Sequence, residues 1–391
     1  MSTFSNYYRQ DIKTFLKNKK TSRYTILNHT LSKANDIQMF VRRNYSKITS
    51  ETKIVVISFN FLWKPILNLA TKVGLRKEDL KEPNWLTQDD IQNMFFLEGF
   101  EEIKRGKRFI MPLNLGFISN FINKYIAQLP LINNLCLTDY QIFKGTASKR
   151  DYSVSIIIPA RNEYGNVKGI LKKIPKLGSK TEVIFVEGGS KDNTYDKIVE
   201  EISKNNLKWL DCRIVKQKGK GKKDAVELGF SLAKNDILMI LDADLTVAPT
   251  ELSKFYAAIS EDKGELIIGS RLVYPMEKQS MRLLNYFGNK IFSLIFSFII
   301  GQKIKDTLCG TKVISRKNYM MIKKRQKYLG GFDPFGDFDL IFGATMHDLK
   351  ILEIPIRYRE RTYGSTNISR FKHGLLLLKM ALVGARRIKF I

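Results

Sequence analysis

DILMILDAD, residues 236–244, is a short apolar strand that ends in two carboxylates spaced two apart. Alternate side chains of an extended backbone point the same way, so Asp242 and Asp244 can share one hard divalent cation. The same spacing fits an ordinary strand-to-helix turn capped by Asp244, and the surroundings decide between the two. Residues 154–158 (VSIII) and 182–186 (EVIFV) predict further buried strands, with another around 212–216, and helices are predicted at 166–174, 192–203 and 223–233. Short apolar strands separated by helices imply a parallel sheet in an α/β layer fold. Ligands of such sheets bind beyond the C-terminal strand ends. The clusters that follow the strands, 159–163 (PARNE), 187–192 (EGGSKD) and Asp242-Ala243-Asp244, therefore converge on one rim.

Between the third of these strands and its helix lies 218–224 (KGKGKKD), whose glycines let backbone approach a phosphate while Lys220 and Lys222 supply charge. It is not the G-x-x-x-x-G-K-[ST] loop of nucleotide hydrolases, because Asp224 follows Lys223 where a hydroxyl is needed.

The chain has 391 residues, room for two or three domains. Apolar residues at 44% and charged residues at 27% exclude wholesale disorder and a multi-span membrane protein. Sixty-six lysines and arginines against 38 acids give a net charge of +28, which asks for an anionic partner: nucleic acid, a membrane face or a phosphorylated substrate. No nucleic-acid module is recognised and the aromatics do not interleave with a basic stripe, so a nucleic-acid binder is the weaker reading. Three scattered cysteines and three unpaired histidines suggest neither a disulfide framework nor a zinc site. The first 20 residues lack an apolar core of the secretory kind, so a cytoplasmic chain is expected. Residues 292–301 and 374–385 are too short to span a bilayer; they read as core helices or, for the second, which lies in a basic tail, as an in-plane amphipathic segment.

Read in order, IIIPARNE (156–163), VEGGSKDNT (186–194), GKGKKDAV (219–226), LDADL (241–245), GSR (269–271), DTLCGTK (306–312) and RTYGSTNISRF (361–371) carry a resemblance. Residues 151–391 resemble a family 2 glycosyltransferase of the GT-A fold, and within it the polyprenyl- or dolichyl-phosphate mannosyl- and glucosyl-transferases. The resemblance implies that Pro159, Ala160, Arg161 and Glu163 frame the nucleotide, and that Asp242, the Ala243 backbone and Asp244 hold it with Mg²⁺ or Mn²⁺. It further implies that Arg271, Arg282 and Arg361 grip the diphosphate or an acceptor phosphate. Glu187 stands where the family commonly has an aspartate, Gly188 where many members have a second acid, and Thr246 where lipid-phosphate members often carry glutamine, which leaves a GDP-hexose and a UDP-hexose both open. Asp337 and Asp339 sit where such enzymes place an acceptor-side carboxylate. A hydroxyl acceptor in glycan synthesis needs that base, whereas a polyprenyl phosphate is already anionic. The arginines and the basic apolar tail favour the lipid phosphate and peripheral action on the cytoplasmic membrane face.

The polar stretch 144–151 (KGTASKRD) marks a domain boundary at about 150. Before it, 53–57 predicts a strand, 63–73 a helix, 85–90 (WLTQDD) a capped helix start and 101–111 a hairpin-like strand pair. Residues 1–150 resemble the C-terminal half of a class I S-adenosylmethionine methyltransferase. They contain no G-x-G cluster, so the resemblance implies a remnant or docking domain without methyl transfer.

Overall fold

The structure is a computed structural model and describes residues 2–19, 23–46, 48, 50–74, 76, 84–274, 283–325, 333, 336–364 and 370–390. Contacts divide the chain into a first unit, Met1–Ala147 with Arg386–Ile391, and a second, Ser148–Ala385.

The first unit is built on four strands, β1 (Tyr24–Asn28), β2 (Lys53–Phe59), β3 (Phe100–Arg108) and β4 (Thr138–Gly145), in the order β1-β2-β4-β3. β1 and β2 are parallel, and β4 runs antiparallel to both of its neighbours. Alternation along β2 divides the core: Ile54 and Val56 face Val41, Ile91, Phe95 and Phe143, while Val55 and Ile57 face Ile12, Leu16, Ile103 and Ile142. The capped helix start is present in full, since Thr87 and Asp90 exchange both capping-box bonds ahead of the helix Gln88–Leu97. The hairpin reading of 101–111 is corrected: the stretch forms one strand, β3, whose partner β4 begins 30 residues later. Its register shifts between Glu102 and Lys104, and Phe109 turns the chain away at φ 66°.

The second unit holds seven strands, β5 (Val154–Ala160), β6 (Thr181–Glu187), β7 (Leu210–Lys216), β8 (Ile237–Ile240), β9 (Leu266–Ser270), β10 (Lys312–Ser315) and β11 (Ile351–Pro355), in the order β11-β9-β10-β8-β5-β6-β7. β8, β5, β6 and β7 are parallel, and β5, β6 and β8, whose runs are mostly apolar, are buried almost throughout. The wholly parallel expectation fails at β10, which lies antiparallel between β8 and β9. Its four residues, KVIS, are too few to carry a readable period. The helix expected over 166–174 is two pieces, Tyr164–Val167 and Ile170–Lys173, separated where Gly169 takes φ 70°.

Candidate active site

The C-terminal ends of β5, β6 and β8 present their loops on one rim, and backbone bonds extend the sheet into them. Gly188 N donates to Ala160 O at 2.9 Å and Gln217 N to Glu187 O at 2.8 Å. The loop after β5 is laced to the loop after β6: Asn162 N donates to Ser190 Oγ at 3.0 Å, Lys191 N to Asn162 Oδ1 at 2.8 Å, and Glu163 N to Thr194 Oγ1 at 2.9 Å. Glu187 is buried and its Oε1 accepts Ser190 N at 2.5 Å. Arg161 and Lys220 are exposed, while Pro159 is half-buried and Ala160 and Ala243 are buried.

Each carboxylate of the Asp-x-Asp pair meets a cation from elsewhere in the sequence. Asp242 Oδ1 lies 2.5 Å from Lys222 Nζ, and Asp244 Oδ2 lies 2.6 Å from Arg361 Nη2. Arg361 Nη1 reaches Glu163 Oε1 at 3.4 Å, so one guanidinium ties the loop after β11 to the ends of β5 and β8. Glu163 also accepts Asn166 Nδ2 at 2.6 Å. Burial raises the Glu163 carboxyl above its ordinary value despite that bond and the Arg361 charge. Burial also raises Asp242, but the Lys222 ammonium, Lys312 and Arg271 outweigh it and hold Asp242 below the ordinary carboxylate value. Burial works against the Lys222 charge as well, and the Asp242 and Asp337 carboxylates overcome it and raise that ammonium. Gly310 makes the approach possible: a Cβ there would collide with Asp242 Oδ2 and the Lys222 ammonium.

Deeper in the unit the remaining acids are paired too. Asp337 Oδ1 accepts the fully buried Lys312 Nζ at 2.6 Å, and Asp339 Oδ2 is bonded by Lys223 Nζ. Both head the helix Asp337–Met346, whose first amides at Phe338 and Asp339 donate to Asp333 Oδ2 at 2.6 and 3.1 Å. Arg271 is gripped in two-pronged fashion by buried Asp306, Nε to Oδ2 at 2.7 Å and Nη2 to Oδ1 at 2.8 Å, with its plane 5.1 Å from the Tyr358 ring. Arg282 lies outside the described residues.

The structure thus brings Glu163, Asp244 and Arg361 into one ion-paired group and Lys222 and Asp242 into a second, with Asp337 close enough to act on the Lys222 charge. Lys220 and Arg161 stand outside these pairs. Sequence reasoning did not single out Gly310, Lys312, Asp306 or Lys223 as site residues, although three of them lie in DTLCGTK and the fourth in GKGKKDAV.

Residues 155–321 match the family described as glycosyl transferase family 2. The UDP-N-acetylglucosamine--dolichyl-phosphate N-acetylglucosaminyltransferase of Methanococcus voltae is 31% identical over 257 residues, 60% of this chain and 98% of that protein. The dolichyl-phosphate beta-glucosyltransferase of Saccharomyces cerevisiae is 31% identical over 230 residues, 53% of this chain and 67% of its own length. Among solved structures, glucosyl-3-phosphoglycerate synthase from Mycobacterium tuberculosis in complex with uridine-diphosphate aligns at a TM-score of 0.44 and 15% identity, over 61% of this chain and 80% of that one. With a 31% identical relative matched over nearly its whole length, and the family's own span covering the strands that carry Glu163, Glu187, Asp242 and Asp244, the chain belongs to glycosyl transferase family 2 and is a glycosyltransferase of mixed α/β fold.

Proposed function

We propose that the protein transfers a hexose, with inversion, from a GDP- or UDP-hexose to a polyprenyl phosphate on the cytoplasmic face of a membrane, assisted by Mg²⁺ or Mn²⁺. One observation carries the choice of acceptor: Asp337 and Asp339, the carboxylates available as a base, are 6% and 4% exposed and each is held by a lysine. A hydroxyl acceptor needs a carboxylate free to take its proton, and a phosphate acceptor does not. A cation does reach the rim, in the partly exposed Arg361, whose fork suits a phosphate. The relatives named above include transferases whose names specify dolichyl phosphate as acceptor.

The donor set suits a divalent ion. Asp242 and Asp244 offer hard oxygens, and among the described residues no group of three or more His, Cys, Asp or Glu forms a closed cage. Two carboxylates with room for substrate oxygens are what Mg²⁺ takes in phosphate-handling sites. The bound ion would neutralise charge that gathers on the departing diphosphate. Lys222 and Arg361, which face the same two carboxylates, would bind and orient that diphosphate, and Glu187 would select the base.

No helix among the described residues is long and apolar enough to cross a membrane. The helix Arg370–Gly384 turns Leu375, Leu378 and Leu382 outward on one face while Leu377, Met380 and Ala381 are buried, which supports in-plane attachment of this unit.

The test compares kcat of Asp337→Asn, Asp339→Asn and Arg361→Ala, with folding checked, using a short polyprenyl phosphate. Arg361→Ala should lose most activity. Asp337→Asn should retain turnover within about tenfold while losing a few kcal/mol of stability, because it strands the buried Lys312 ammonium. An aspartate variant dead beside an active arginine variant would move the acceptor to a hydroxyl.

A further inference from the structure

We propose that the first unit docks on an anionic lipid surface through the apolar face made by residues 60–73 and 113–135. The proposal stands on this unit alone and does not depend on which acceptor the second unit uses.

The helix Phe117–Lys124 is inside out. Two of its polar residues, Ser119 and Asn123, are buried, while Phe117, Ile118 and Phe121 face solvent beside Asn120 and Lys124, with Phe117 81% exposed. The inversion is built in by hydrogen bonds. Asn123 Oδ1 accepts Ile110 N at 2.9 Å and Met111 N at 2.8 Å, its Nδ2 donates to Met111 O at 3.0 Å, and Ser119 Oγ accepts Leu115 N at 3.0 Å. Phe117 and Phe121 then form an outward aromatic pair with centroids 6.2 Å apart, while Tyr125, 5.2 Å from Phe121, meets the Phe390 ring at 5.5 Å.

A second device does the same nearby. Leu131 takes φ 69° and ψ −53°, with Ile132 N donating to Pro130 O at 2.9 Å, a three-residue turn that is rare because it is strained. It holds the Leu131 side chain 84% exposed. The flanking segment is fastened to the short helical turn Phe61–Trp63: Trp63 Nε1 donates to Leu135 O at 2.8 Å, and Asn60 Nδ2 to Asn134 O at 2.8 Å and Cys136 O at 2.7 Å. Phe61, Leu62, Ile66, Leu69 and Leu135 are exposed on these segments. Strained backbone and buried polar side chains that together push apolar groups into water need an apolar destination.

Charge selects its kind. Residues 60–74 and 109–137 contain Lys64, Lys72 and Lys124 and no acid, within a stretch, residues 1–147, that carries 22 lysines and arginines against 12 acids. Apolar side chains inserted at the headgroup level with lysines around them match an anionic bilayer, where each basic residue adds attraction. A protein partner or a second copy of this chain are the other occupants that the test separates.

The 391-residue chain is sedimented with vesicles of phosphatidylcholine and phosphatidylglycerol in equal parts, without polyprenyl phosphate. The wild type should bind, and Phe117→Ser/Leu131→Ser should lower partitioning by at least about tenfold. Nucleotide release in detergent should be unchanged, and folding should persist because both side chains are exposed. Phe117→Trp should show fluorescence quenching by lipids brominated in their acyl chains beyond that of the wild type. The proposal is overturned if the double variant binds vesicles as the wild type does, or if the added tryptophan is not quenched. Loss of binding in Leu375→Ser/Leu382→Ser alone would also overturn it. So would a change of the double variant's oligomeric state with vesicle binding intact, which would make a second copy the occupant.

Discussion

In the second unit Asp242, Asp244, Asp306 and Asp337 each meet a lysine or arginine within 2.8 Å, and a glycine is kept at 310 so that two of these groups can close. In the first unit the 29 residues from Phe109 to Leu137 contain no acid at all, and the helix Phe117–Lys124 buries Ser119 and Asn123 while exposing its aromatics. The two regions use polar groups for opposite ends. Where a multiply charged ligand is to be handled, compact pairs hold the groups ready in place and limit the reorganisation that binding demands. Where a surface is to be met, hydrogen bonds serve only to aim apolar side chains.

The largest effect that can break this contrast is in the second unit. Asp244→Ala should reduce sugar transfer below detection, since it removes a hard oxygen donor and frees Arg361 from its 2.6 Å contact. Wild-type turnover in that variant, or full activity in excess chelator, would remove the metal from the site. Gly310→Ala should come next, with kcat reduced by roughly 10²-fold while the fold persists, because the new methyl displaces Asp242 and Lys222 together. Steady-state kinetics beside a thermal melt reads both, and an unchanged kcat would mean that the Asp242–Lys222 geometry is dispensable.

The next effect is thermodynamic and belongs to the first unit. Burial, aided by the Arg76 and Lys33 charges, pushes the His29 imidazole down to about 4 from 6.5. The folded ring stays neutral while the unfolded one takes up a proton. Stability from this group is therefore intact above pH 6.5 and is lost as pH falls toward 4, by an amount on the order of 2 to 3 kcal/mol. Denaturant unfolding between pH 7 and 4 should show that slope in the wild type and a flatter one in His29→Gln; parallel slopes would refute it. The smallest expected effect is none: calorimetry of the full chain with S-adenosylmethionine should give no heat of binding, and saturable micromolar binding would overturn the expectation that residues 1–150 carry no methyl transfer.

Much of the rim was legible because its chemistry is local. The apolar runs of β5, β6 and β8 each end in a polar cluster, and strand period together with strand end suffices to bring Glu163, Glu187, Asp242 and Asp244 to one side of a sheet. The Thr87 and Asp90 capping box was readable for the same reason, as its partners are three residues apart. Pairings between distant residues left no such mark. Asp244 and Arg361 are 117 positions apart and Lys312 and Asp337 are 25 apart, so which ammonium meets which carboxylate was settled by packing of whole elements.

Sequence by itself therefore determined the alternation of strands and helices after residue 150, the acids at the strand ends, the glycines of the lysine-rich loop and the excess of positive charge. Tertiary structure alone decided the antiparallel insertion of β10, the pairing of Asp242 with Lys222 and of Asp244 with Arg361, and the outward face of the helix Phe117–Lys124. Periodicity shows that a helix has two faces but not which one is buried. Here the buried Asn123 side chain accepts the backbone amides of Ile110 and Met111, and satisfying those polar groups turned the aromatic side to solvent.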